Sequence, residues 1–342
     1  MSHTAIVTPG AADPGRIWQG IPSIARWRDR LWVTWYTGGP REPSPDNHVL
    51  LAVSDDDGAT WQIESTLSAP GSVRAFDPNL WVDPLGRLWH TWNETDEAVA
   101  ELFDGRGGVW ARVAGESGDW SAPRRLASGV AMNTPTVAAD GSWLLSSALW
   151  SQGPEAAPDP RAANVFASTD EGETWSLRGG VPLAAGERTF DEHMIVALPD
   201  GTLWMVLRTL RGLAESFSTD HGAHWTVARP SGFNPQPSSR VWFSTLRDGT
   251  IVLVGNATPM TRDGIAVRTS VDGGLTWSFP VIIDERHWVS YPDAVEGDDG
   301  TLHIVYDRDR NGAGEIILST VRIEGGRVTS AGPPITVDRL GA

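Results

Sequence analysis

Apolar and polar positions alternate along this chain in short bursts, and no stretch sustains a helical period. Six segments read as a tight polar turn followed by a strand of alternating apolar residues. They begin at Asp29 (DRLWVTWY), Leu85 (LGRLWHTW), Asp140 (DGSWLLSS), Asp200 (DGTLWMVLR), Asp248 (DGTIVLVG) and Asp299 (DGTLHIVYD). A two-residue side-chain period bounded by Gly and Asp is a strand signal. Each segment follows another apolar run, at residues 21–24, 80–82, 135–137, 194–197, 241–245 and 294–295, and precedes a third, as at 49–53, 109–113 and 316–318. The starts recur at intervals of about 50 to 60 residues, a period characteristic of propellers and solenoids.

A second series runs independently of the first. Four segments share Ser-x-Asp-x-Gly-x-x-Trp: residues 54–61 (SDDDGATW), 168–175 (STDEGETW), 218–225 (STDHGAHW) and 270–277 (SVDGGLTW). A weaker copy, AGESGDW at residues 114–120, falls where the wide gap between the first two needs one. The Asp accepts backbone N–H bonds, the Gly takes positive φ, and the Trp caps an apolar layer, so each segment, an Asp box, predicts a hairpin. Strand, hairpin, strand, loop, strand, box turn, strand makes one four-stranded blade. The expected fold is all-β, a six-bladed β-propeller with Asp-box hairpins, in a single domain spanning residues 1–342.

Composition narrows the partners. The 18 tryptophans among 342 residues fit a repeated packing role, and the absence of cysteine excludes disulfides and thiolate metal sites. With 27 basic against 43 acidic residues, the formal charge of −16 repels phosphate backbones and anionic lipid. No run of 18 apolar residues could span a membrane. The first residues lack a basic start followed by an apolar stretch, so a cytoplasmic location is the expectation. The expected partner is a carbohydrate, with no nucleic acid and no membrane. No spacing of His, Asp and Glu resembles a metal set, and no cofactor is expected.

The inner strand of each propeller blade starts at one face, near the axis. Just ahead of the six inner strands stand Trp18 and Gln19; Arg74, Asp77 and Asn79; Asn133; Arg188, Asp191, Glu192 and His193; Ser239 and Arg240; and Tyr291 and Asp293. Second strands return to the same face with Arg208 and Asp307, and third strands leave it from Glu42, Asp46, Glu215 and Arg262. The Asp boxes fall on the opposite face. A solvated rim explains any one of these polar residues, but not all six blades converging on one end of the axis.

The boxes, the period and the polar inner ends resemble the sialidase (neuraminidase) superfamily of glycoside hydrolases over essentially the whole chain. The resemblance implies that Tyr291, in VSYPDAVEGDDGTLHIVYD, is the nucleophile and that Glu192, in DEHMIVALPDGTLWMVLR, deprotonates it. A neutral phenol suits a sugar whose anomeric carbon bears a carboxylate, because it approaches with less repulsion than a carboxylate nucleophile. Arg262, in RDGIAVRTS, resembles one arginine of the family's carboxylate-binding triad, and Glu42, or failing it Asp46, lies where the family keeps its general acid. The family's Arg-Ile-Pro stands here as Gly20-Ile21-Pro22, and Glu215 stands where the second triad arginine is expected.

The expected function is therefore a sialidase-like exo-glycoside hydrolase acting on an acidic terminal sugar. Tyr291, Glu192 and Glu42 would be catalytic. Arg262, Arg208 and Arg240 would clamp the substrate, and Asp77, Asn79, Asn133, Asp191, Glu215, Asp307 and Arg188 would line its site. Three alternatives stay open: hydrolysis of a non-sialic sugar by a carboxylate pair, a polysaccharide lyase, and a non-catalytic glycan-binding propeller.

Overall fold

The computed structural model describes residues 6–9, 16–71, 73–95, 105–150, 162–184 and 186–341. They form six antiparallel sheets and, among the described residues, no α-helix. The sheets are the six blades of a propeller. Their inner strands are Gln19–Trp27, Ala75–Val82, Thr136–Val137, Met194–Ala197, Trp242–Thr245 and Val289–Glu296. In blade 1 the chain continues through Arg30–Thr37, His48–Ser54 and Gln62–Ser68, and Ile6–Pro9 pairs with the outer edge. In blade 6 the third strand, Glu315–Glu324, pairs with both Arg327–Ala331 and Ile335–Arg339, so two short strands share the outer position.

Three inner strands are longer than their apolar runs suggest, because each starts with a bulge. The register shifts between Gly20 and Ser23, between Phe76 and Asn79, and between Ser290 and Asp293. The dipeptides Ile21-Pro22, Asp77-Pro78 and Tyr291-Pro292 fill these bulges, and their first residues have φ of 58°, 44° and 55°. Positive φ is uncommon in non-glycine residues and a genuine outlier for β-branched Ile21. A bulge re-aims one side chain at the head of a strand.

The Asp boxes sit at the far face and hold each blade to its neighbour. In blade 3, Ser168 Oγ donates to Asp170 Oδ1 (2.7 Å), Gly172 N donates to Ser168 Oγ (2.9 Å), and Thr174 N donates to Asp170 Oδ1 (2.9 Å). Trp175 Nε1 then donates to Gly172 O (3.1 Å), and the same bond recurs at Trp61, Trp225 and Trp277. Those hydrogen bonds hold the Asp170 carboxyl down to about pKa 2, led by the one from the Thr174 hydroxyl. Each box glycine rests on the preceding blade: Gly58 on Leu318, Gly172 on Trp89, Gly222 on Leu144 and Gly274 on Trp204.

Blades 1 and 6 meet without a shared strand among the described residues, and buried carboxylates join them. Asp293 accepts from Ser23 Oγ (2.5 Å) and Ile24 N (2.9 Å), and Asp307 accepts from Ile21 N (2.8 Å). Ser23 Oγ also accepts from Leu80 N (3.0 Å), which carries the connection into blade 2.

Gly172 combines φ of 85° with a site where a Cβ would lie 2.6 Å from Trp89 Cη2. Gly172→Ala should therefore lose about 1–3 kcal/mol of stability through strain and overpacking. Urea unfolding of the variant reads this loss directly, and an unchanged midpoint would mean that the box does not bear on blade 2.

Candidate active site

The bulges converge on one pocket of about 140 Å³ at the entry of the inner strands. Its lining includes Ile21, Asp77 and Tyr291, the three bulge residues, and Glu192, whose φ is 42°. Four strained residues ahead of four inner strands thus turn their side chains to one point, as expected where strain serves a site. Met132, Trp150 and Phe190 join Ile21 as an apolar wall, with Trp150 edge-on to Phe190 at 5.0 Å. The remaining lining is charged: Glu42, Arg208, Arg262 and Arg310.

Tyr291, Glu192 and Arg208 form a closed triangle. Tyr291 OH donates to Glu192 Oε1 (2.7 Å), and Arg208 Nη1 donates to both Glu192 Oε1 (2.6 Å) and the phenol oxygen (2.8 Å). Asn133 Nδ2 fixes the carboxylate's backbone from behind by donating to the carbonyls of Glu192 and His193 (3.0 Å each). Glu192 Oε2 has no hydrogen-bond partner within the protein, so half of this carboxylate is available to accept. Burial and the Glu192 charge push the Tyr291 phenol up to about pKa 12, against the pull of Arg208, Arg262 and Arg310. Burial likewise raises Asp77 well above the usual carboxylate range, reinforced by Glu42 nearby. Its Oδ1 has no hydrogen-bond partner within the protein.

Arg310 is the residue that sequence reasoning missed. It lies in the loop after the second strand of blade 6, and its guanidinium stands 4.2 Å from the Tyr291 ring centre. Asp307 accepts from its Nε (2.9 Å) and lies 2.8 Å from its Nη2 as an ion pair, and Glu42 accepts from its Nη1 (3.3 Å). The side chain passes over Gly20, where a Cβ would lie 2.9 Å from Arg310 Cδ. The glycine standing where the family carries an arginine is what admits an arginine from blade 6. Arg262 completes the group, 5.0 Å from the same ring and donating to Ser238 O (3.2 Å).

Other expected site residues are placed behind the pocket. Arg240 does not clamp a ligand: it is 1% exposed and donates to Met132 O (2.6 Å), Pro22 O (3.1 Å), Tyr291 O (3.2 Å) and Pro292 O (3.3 Å). Arg188 is spent on Asp191 (2.6 Å) and Leu149 O (2.5 Å). Asn79 donates to Met132 O (3.1 Å). Asp307 is wholly buried and supports Arg310, Ile21 and Ser290. Glu215 lies away from the pocket, paired with Arg229 at 2.9 Å, whereas Arg208 on the preceding strand reaches Glu192. Glu42 does reach the pocket, where it accepts from the Tyr36 hydroxyl and from Arg310. Trp18 is buried against Tyr36.

A family model described as a BNR repeat-like domain matches residues 29–304, and the chain belongs to that family. Its fold is that of the sialidase-like six-bladed propellers. The leech intramolecular trans-sialidase, solved with 2,7-anhydro-Neu5Ac, superposes with a TM-score of 0.70 at 15% identity, over 92% of this chain and 70% of that one. The intramolecular trans-sialidase of Ruminococcus gnavus, solved with oseltamivir carboxylate, gives 0.68 at 15% identity over 97% of both chains. A Dyadobacter fermentans protein described as of unknown function gives 0.68 at 17% identity, over 92% of this chain and 97% of that one. No curated protein sequence matches.

Two measurements check this electrostatic layout. All three tyrosines are buried, and burial raises each phenol above its ordinary value. The absorbance of the folded protein should show no tyrosinate at pH 10–11, with all three appearing on denaturation. The unfolded phenol ionises near 10 and folded Tyr291 near 12, so this tyrosine's contribution is complete below pH 10 and lost towards pH 12. That loss is on the order of 3 kcal/mol. Arg240→Met should cost about 2–4 kcal/mol in urea unfolding by stranding four carbonyls, whereas Arg262→Met should change stability by less than about 0.5 kcal/mol.

Proposed function

We propose that this propeller is an exo-acting glycoside hydrolase of sialidase type, specific for a terminal sugar carrying a carboxylate at or beside its anomeric carbon. The observation that carries this reading is the convergence of Arg208, Arg262 and Arg310 around a buried phenol that already donates to a carboxylate. Three guanidinium groups suit a planar carboxylate, which accepts paired, charge-assisted hydrogen bonds. A neutral nucleophile suits the same substrate.

In this reading the phenol oxygen of Tyr291 attacks the anomeric carbon while Glu192 takes its proton. Arg208 is bonded to both atoms and stabilises the charge as it passes from one to the other. The anomeric C–O bond to the leaving group breaks as the bond to Tyr291 forms, and the leaving oxygen takes a proton from Glu42. Glu42 begins as the partner of Arg310 at 3.3 Å, the longer of that arginine's carboxylate contacts. A substrate carboxylate that engages Arg310 takes the place of Glu42 there and frees the Glu42 carboxyl to deliver the proton. Water then attacks the glycosyl–tyrosine bond as the protons return. Asp77, whose Oδ1 is left without a partner in the protein, hydrogen-bonds a sugar hydroxyl.

Hydrolysis of aryl sialosides, aryl glucuronides and neutral aryl glycosides tests the proposal. Turnover of the acidic substrates should fall about 10²–10⁴-fold in Tyr291→Phe, which leaves the Arg208–Glu192 pair in place. Arg310→Ala, and Gly20→Ala by crowding Arg310, should raise KM about tenfold or more through loss of a charge-assisted contact. Turnover confined to neutral glycosides, or undiminished in Tyr291→Phe, would overturn the reading.

A further inference from the structure

On the Asp-box face, opposite the reaction pocket, a cavity of about 510 Å³ opens at the seam between blades 1 and 6. Blade 1 lines it with Arg26 at the end of its inner strand, Asp29 in the following turn and Asp57 of the first box. Blade 6 adds Asp298 and Asp299, from the turn before its second strand, and His303 within that strand. Four carboxylates and one guanidinium thus meet where no shared strand joins the blades among the described residues. Like charges gathered across this junction repel one another and oppose its closure.

The carboxylates are only partly neutralised. Asp57 accepts from Arg26 (2.8 Å), Asp298 from Arg247 (3.3 Å) and Asp299 from Arg322 (2.9 Å), whereas Asp29 has no ion pair among the described residues. His303 is a second and independent sign of a ligand. It is 5% exposed and lines the cavity, yet its Nδ1 has no hydrogen-bond partner within the protein. Burial, and then the Arg26 charge, lowers its pKa, so the ring is neutral and carries an acceptor nitrogen. A buried acceptor left unpaired among carboxylates suits a cation that bears N–H groups.

A single metal ion is a poor match for this arrangement. Among the described residues, no three His, Asp or Glu side chains converge closely enough to hold one. The negative charge is instead spread around a hollow with room for a chain of atoms. An alkyl polyamine spreads its positive charge in the same way: its ammonium groups donate to carboxylates, and its methylene spacers need no partner.

We propose that this cavity binds a linear polyamine, which bridges Asp29 and Asp57 of blade 1 to Asp298 of blade 6 and donates one N–H to His303. The site lies on the face opposite the pocket and does not depend on the hydrolase reading. The bridged carboxylates come together only in the closed ring, so the ligand stabilises the folded propeller.

Isothermal titration calorimetry with spermidine, near neutral pH and at about 0.15 M salt, tests the site. One spermidine should bind per chain with a Kd of about 1 mM or tighter. Combining Asp29→Asn with Asp298→Asn should weaken binding about tenfold or more, and His303→Leu about three- to tenfold. Glu116→Gln combined with Asp119→Asn removes two exposed carboxylates elsewhere and should leave the Kd within about twofold. No binding by the wild type, no loss in the first double variant, or an equal loss in both double variants would overturn the proposal. Displacement of spermidine by equimolar calcium chloride would overturn it in favour of a metal site. At ten times its Kd, spermidine should raise the thermal midpoint by about 2 °C in the wild type and by less than about 1 °C in the first double variant. Binding without that rise would overturn the bridge between the blades.

Discussion

A single guanidinium on the propeller axis holds the site together. Arg240 enters from blade 5 and gathers the carbonyls of Pro22, Tyr291, Pro292 and Met132. Three of those carbonyls belong to bulges, where the inner strands leave regular pairing and backbone acceptors lose their ladder partners. An unpaired buried carbonyl is costly, and a charged donor with a fixed fork can satisfy several at once. With the backbone so held, Ile21 and Tyr291 keep their left-handed conformations, and their side chains meet in the pocket. The residue expected to grip a ligand instead grips the frame on which the ligand site is built.

The pocket is a balance of charges with little surplus. Glu192 is matched by Arg208, and Glu42 and Asp307 by Arg310, while burial raises the Asp77 carboxyl. Arg262 alone among the three pocket arginines has no carboxylate partner among the described residues. Buried charges without partners are expensive, and this pairing leaves one open positive charge at the pocket.

The fold was written plainly in the chain because it repeats. The boxes and the period report local turn chemistry, and each blade states it again. Tyr291 and Glu192 were legible for the same reason, since each heads an inner strand. Arg310 was not, because its role depends on Gly20, a residue nearly the whole chain away that matters for what it lacks. Arg240 was misread because a sequence shows that an arginine lies near the axis but not which way it faces. Arg208 was named, yet its tie to Tyr291 and Glu192 appears only in three dimensions. One overlooked signal was present: Ile21-Pro22, Asp77-Pro78 and Tyr291-Pro292 repeat an X-Pro step at the heads of inner strands, where proline's missing donor marks a break in pairing.

The seam between blades 1 and 6 gives the pocket a place in time. Ile21 and Glu42 come from the first blade and Tyr291 and Arg310 from the last, and side-chain contacts with Asp293 and Asp307 close the ring between them. Translation delivers these halves at opposite ends of synthesis. A nascent chain can fold its early blades one after another, the boxes of blades 3 to 5 settling on the blade before them, while Gly58 of the first box waits for Leu318 of the last blade. The pocket is therefore assembled all at once, with the sixth blade.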